Sequence, residues 1–256
     1  MDENQQSEAA GQPGAAQTSL AGRLTNVFVA PGEVFAEIKD RPVEPANWVV
    51  PMVIAVIVGI VYVMVVFSQP AVLQQMKDTQ EKAMQERVAS GKMTQQQADA
   101  AMETSQKFMT PTIMKSVGIL GVIFVSAIWL FFMALVLWLA GRFGMHGQVT
   151  YMKMVEVAGL ATMISALGGI VAMALAVIYG NTLMTPSLIL AVGHFDPHNP
   201  MHQVLASLNV ITLWYMAVLS VGLGQTTGKG FFRAAAWIYG LWALCKAPLI
   251  WWAVRM

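Results

Sequence analysis

The densest run of potential metal ligands is Gly193-His194-Phe195-Asp196-Pro197-His198-Asn199-Pro200-Met201-His202. It holds three of the chain's four histidines and the only acidic residue after Glu156. Imidazole and carboxylate together suit zinc, nickel or copper. His198 and His202 are spaced to share one face of a helix, but Pro200 fits a helix there only in its first turn. The spacing matches no established zinc signature. Residues of this kind are more often plain turn formers. The expectation is therefore a Pro-punctuated polar loop with no resident cofactor. His194, Asp196, His198 and His202 are its only metal-ligand candidates.

Three further polar residues fall in or at apolar runs. Lys246 lies in the last one, about 12 Å from its end at a rise of about 1.5 Å per residue. A lysine at a bilayer centre costs roughly 2.5–3.5 kcal/mol on insertion scales. It can serve a substrate or proton, or stretch towards the headgroups beside Trp251 and Trp252; the second is preferred. Pro248 could free a backbone carbonyl for it. Glu156 opens another run, where a carboxylate suits a helix N-terminus. Asn209, with Thr212, Ser220 and Gln225, makes a third run polar enough to want a central place among partner helices. No nucleophile elbow, phosphate-binding glycine loop or His-Glu-x-x-His run occurs. Gln225-Thr226-Thr227-Gly228-Lys229-Gly230 lacks the upstream glycine of a P-loop. The chain is not expected to be an enzyme.

The elements that must carry these residues follow from composition. The chain has 256 residues, 56% hydrophobic and 11% charged. Soluble domains carry about 25% charged residues, so this chain cannot coat itself for water. A mean hydropathy of +0.57 agrees. Net charge is +1, which offers no general field for nucleic acid. The single cysteine, Cys245, excludes an internal disulfide and reads as a small hydrophobe.

A hydrocarbon core of about 30 Å needs about 20 apolar residues. Five runs qualify: about 48–67, 117–140, 157–179, 204–223 and 234–254. Inside lipid the backbone must satisfy itself, so each is expected to be a helix. The fold class is thus all-α, a polytopic bundle of five transmembrane helices. Residues 1–19 have the composition of a disordered polar tail, with no signal peptide. Residues 20–47 form an amphipathic inner-face segment. Leu20, Leu24, Val27 and Phe28 share one face, and Val34, Phe35 and Ile38 another after Pro31. This pair of helices either lies along the membrane surface or packs on the spans.

Residues 70–116 form a polar insert, expected to be a helical hairpin outside the membrane. Thr94-x-x-Gln97 is a capping-box start, and Asp78–Lys82 and Glu103–Lys107 are helix-stabilising pairs. Two lines of small residues in the third run, Ala161-Ser165-Gly169 and Gly168-Ala172-Ala176-Gly180, allow close approach of two neighbouring helices.

Lys and Arg mark cytoplasmic loops. Arg23, Lys39 and Arg41 precede the first run, Arg142 and Lys153 follow the second, and Lys229 and Arg233 follow the fourth. The loop 180–203 has neither residue. The N-terminus is expected inside and the C-terminus outside. The lysines of the insert run against this pattern.

Several stretches stand out in order: Val29-Ala30-Pro31-Gly32-Glu33-Val34-Phe35, Ala140-Gly141-Arg142-Phe143-Gly144 with Ala158-Gly159, and Leu208-Asn209-Val210-Ile211-Thr212-Leu213-Trp214. Leu219-Ser220-Val221-Gly222-Leu223 and Thr227-Gly228-Lys229-Gly230 complete the series. Together they resemble the bacterial branch of the Yip family, the Ypt-interacting-protein-like membrane domains. The resemblance covers residues 20–254, interrupted by the insert. Family members often carry an acidic residue where this chain has Asn209, and the Asp-Leu-Tyr-Gly-Pro motif of the eukaryotic branch has no counterpart here. That weighs against a small-GTPase partner. The resemblance implies a five-span bundle in the bacterial inner membrane, a non-enzymatic scaffold or membrane-organisation and trafficking factor. Its partners would be the lipid bilayer and proteins meeting the N-terminal segment, with homo-oligomerisation left open. The competing reading is a small transporter or channel for a metal ion, resting on Lys246, the polar fourth run and the histidine loop.

Overall fold

The computed structural model describes residues 18–192 and 199–255. Among these the chain is helical, with no strand and one isolated bridge between Ser187 and Asn209. Helix α1 (Leu20–Val29) starts where the Ser19 hydroxyl accepts from the Gly22 N–H at 3.1 Å, a serine N-cap. The chain turns at Ala30, and α2 (Pro31–Ile38) begins on a proline, whose missing N–H costs nothing at a first helical position.

The first long helix, α3, runs Ala46–Val66. It begins earlier than the apolar run, so Pro51 is inside it and not in its first turn. The insert forms α4 (Pro70–Ala89) and α5 (Gln95–Phe108). The Thr94–Gln97 capping box is formed in both directions, and Gln80 donates to Ser105 across the two helices. Glu103 pairs with Lys107 at 3.3 Å, whereas Asp78 accepts instead from Gln74. Val72 packs with Val66 and Ala176, so the insert stands against the far ends of α3 and the third long helix.

Helix α6 (Pro111–Leu139) ends in a π-helical turn over Ala140–Gly144. Helix α7 (Tyr151–Tyr179) follows, then a 3-10 turn at Leu188–Val192 and α8 (Pro200–Ser207). Helices α9 (Val210–Thr227) and α10 (Phe231–Arg255) complete the chain.

Among the described residues, four helices are long and apolar enough to cross a membrane: Ala46–Val66, Pro111–Gly144, Tyr151–Tyr179 and Val210–Thr227. Their outward faces carry Ile57, Leu120, Phe124, Ile128 and Ile178, all well exposed. A soluble protein avoids apolar surface on that scale, and a lipid solvent requires it. The chain is a polytopic α-helical membrane protein. Helix α10 is 25 residues long, with Lys246 and Pro248 along its length.

Helix α7 is the hub, touching α1, α3, α6 and α9. Its two small-residue lines meet two neighbours: Gly169 faces Val58 of α3, and Gly168 faces Ile211 of α9. The fourth apolar run is not one helix. It breaks at Leu208-Asn209, so α8 stops at Ser207 and the crossing segment starts at Val210.

Helices α1 and α2 pack on the spans themselves. Val27, Val34, Phe35 and Ile38 are buried in the main core with residues of α7 and α9. Phe28 meets Trp214 edge to face, ring centroids 5.9 Å apart.

Candidate functional site

The most highly connected polar cluster lies where the N-terminal helices meet the start of α7. Thr150 sets the register, its hydroxyl accepting from the Lys153 N–H at 3.3 Å as the N-cap of α7. Lys153 and Glu156 then fall one turn apart on the same face, both buried. On the other side, α2 ends at Ile38, where the last carbonyls of a helix have no partners within it. Lys153 Nζ reaches the carbonyls of Ile38 at 2.8 Å and Arg41 at 3.0 Å, and Glu156 Oε2 at 2.5 Å. An ammonium has three protons to donate, and all three are used. A cation at a helix C-terminus is also favoured by the helix dipole.

The Glu156 carboxylate is equally engaged. Its Oε1 accepts from Asn47 Nδ2 at 2.6 Å and from the Glu44 N–H at 3.3 Å. Glu44 in turn pairs with Arg23 of α1 at 2.5 Å, Arg23 being buried and Glu44 exposed. Five side chains from α1, the α2–α3 linker, α3 and α7 thus form one connected cluster. Directly behind it, Gly159 lets α7 touch the backbone of α3. A methyl group at that position would overlap the Cα and Cβ of Trp48. Pro51 has no N–H for the Asn47 carbonyl in this same turn of α3.

The Lys153 ammonium protons are all committed, and the Glu156 carboxylate is 1% exposed. Buried charges persist only when paired and hydrogen-bonded in this way. Three buried polar atoms of the same region, Arg23 Nε, Asn47 Oδ1 and Trp48 Nε1, have no partner among the described residues.

Beside the cluster is an open polar groove of about 450 Å³, lined by Lys39, Asp40, His146, Gln148, Gln225 and Lys229 among others. Residues from the α2 end, the π-turn loop and the α9–α10 turn therefore share one end of the bundle. His146 holds a left-handed backbone, φ 51°, uncommon for a side chain other than glycine. At the opposite end, α4 lies against residues Asn181 and Leu183 after α7.

Of the residues singled out from sequence, Glu156 is the centre of the cluster. Asn209 lies elsewhere and caps α9, its Oδ1 accepting from the N–H groups of Ile211 at 2.9 Å and Thr212 at 3.2 Å. Lys246 is half-buried in α10, two residues before Pro248. His194, Asp196 and His198 lie outside the described residues, and His202 is in α8. The described residues contain no group of three or more potential metal ligands. Sequence reasoning missed Arg23, Glu44, Asn47 and Lys153 as members of a site. One signal was present: Glu156 is the only acidic residue between Glu103 and Asp196, with a lysine one turn before it.

A family model for the Yip1 domain matches residues 25–252. The match takes in α2, the Glu44, Asn47, Lys153 and Glu156 members of the cluster, and the long helices as far as residue 252, and it does not single out a bacterial branch. No curated protein and no solved structure matches the chain. A match over so much of the chain, on a polytopic helical bundle, places the protein in the Yip1 domain family.

Proposed function

We propose that this protein is a non-enzymatic membrane scaffold, serving membrane organisation or trafficking in a bacterial inner membrane. One observation carries the reading. The N-terminal helices are fastened to the spans by the Arg23–Glu44–Asn47–Lys153–Glu156 cluster. A fixed, polar face is thereby built at one end of the bundle, with the groove of Lys39, His146, Gln148 and Lys229 at its centre. A rigid face suits docking, because little conformational entropy remains to be lost on binding.

That end also gathers Arg23, Lys39, Arg41, Lys153 and Lys229. By the positive-inside rule it is the cytoplasmic end. The N-terminus is then inside, α10 makes a fifth crossing, and the C-terminus is outside. The transporter reading loses part of its support, since Asn209 caps α9 and the Ser220 hydroxyl bonds a backbone carbonyl of its own helix.

Photo-crosslinking in native membranes tests this reading. A crosslinkable residue replacing Gln148 or Lys229 is expected to give discrete, reproducible protein adducts. The same probe replacing Ile128, on a lipid-facing side, is expected to give none. Lipid adducts alone from all three positions would overturn the docking role.

A further inference from the structure

Helices α1 and α2 have 10 and 8 residues, about 15 and 12 Å at 1.5 Å per residue. Neither can cross a hydrocarbon core of about 30 Å. Both nevertheless enter the bundle, and they enter and leave by the same end. Arg23 near the start of α1 pairs with Glu44, and the Ile38 carbonyl at the end of α2 binds Lys153. Between these two anchors the chain runs inward and turns at Ala30. Gly32 lies against Val221, Phe35 lies beside Gly222, and the Phe28 ring touches Trp214. Trp214 is 13 residues from Thr227, the end of α9, so its Cα is about 20 Å along that helix.

The hairpin is covered on one side only. Val27, Val34, Phe35 and Ile38 are buried against α7 and α9. The outward stripe of α1 is Ala21, Thr25 and Val29, spaced four apart, with Ala36 on α2 also exposed. Val29, next to the turn, is 80% exposed. The Thr25 hydroxyl donates to the Ala21 carbonyl at 2.9 Å and leaves no bare donor on the stripe. Glu33, exposed in the first turn of α2, is the one charge near the turn.

We propose that this hairpin is a wedge in a single leaflet, its outer stripe covered by the lipid of that leaflet. The spans traverse both leaflets, whereas α1 and α2 add cross-section to one. A body wider in one leaflet is accommodated best where that leaflet is expanded, on the convex side of a curved bilayer. Amphipathic segments seated in the interface are curvature-sensitive for the same reason. The wedge gives the membrane-organising role a physical means, and its geometry stands independently of whether a protein docks on the polar face.

The test uses the full-length protein, fluorescently labelled and alone in liposomes of fixed composition and mixed diameter. Protease access to the N-terminal tail separates the two orientations. Molecules with the hairpin outward are expected to be several-fold denser on small vesicles than on large ones, and hairpin-inward molecules to show the reverse. Val29→Asp, on a surface position outside the core, is expected to weaken the bias, and Glu33→Leu to strengthen it. Thermal unfolding in detergent checks that both variants are folded. Equal density across diameters in both orientations overturns the wedge, as does a bias that neither substitution changes. Because no other protein is present, failure here leaves the docking reading untouched, and failure of the crosslinking experiment leaves this one untouched.

Discussion

At the residue scale the account turns on Lys153 and Glu156. Removing one partner of a buried pair leaves the other charge uncompensated, a cost of about 3–5 kcal/mol. Glu156→Gln is therefore expected to lower stability by that order, read as a drop in the thermal midpoint in detergent. Replacing both, as Lys153→Met with Glu156→Met, is expected to cost less than the single change, because no orphaned charge remains. Gly159 gives a second prediction. Its missing side chain lets α7 meet the Trp48 backbone, which has no rotamer to yield, so Gly159→Ala is expected to destabilise by about 1–3 kcal/mol. Gly121→Ala is the control: nothing lies within 4 Å of the added methyl, and the same assay should show no loss. Glu156 was legible as a carboxylate near a helix start. Its partners were not, because Asn47 and the Ile38 and Arg41 carbonyls lie more than a hundred residues away and no local period encodes such a meeting.

At the element scale, helices were legible wherever solvent dictated them. An apolar run with no charge must be helical in lipid; α3 lies over its run, while α6 and α7 each begin six residues before theirs, after the capping threonines Thr110 and Thr150. Gly168 and Gly169 in the small-residue lines of α7 likewise marked close approaches to α9 and α3, two of its four neighbours, since only small side chains allow such approach. The break between α8 and α9 was harder to see. Leu208-Asn209 sits within an apolar stretch, and hydropathy averages over a break that one capping side chain creates. Asn209→Ala removes an acceptor for two N–H groups. It is expected to cost about 1 kcal/mol and to speed amide exchange in the first turn of α9, measured by mass spectrometry. The amphipathic character of α1 and α2 was plain, but not what their apolar faces would meet. A stripe seeking lipid and a stripe seeking a neighbouring helix have the same period.

At the scale of the whole molecule, the loops sort into two ends, and the family match spans nearly all of the bundle. The polytopic architecture was readable from composition and run length alone, while the union of the N-terminal helices with the spans required the fold. That union is the central claim, and hydrogen exchange on the full-length protein in lipid nanodiscs tests it most directly. Amides of Leu20–Ile38 are predicted to exchange as slowly as those of Met154–Leu160 in α7, and Glu156→Gln to speed exchange in Leu20–Ile38. Rapid exchange across Leu20–Ile38 in the unaltered protein, as for helices lying free on the membrane surface, would contradict it.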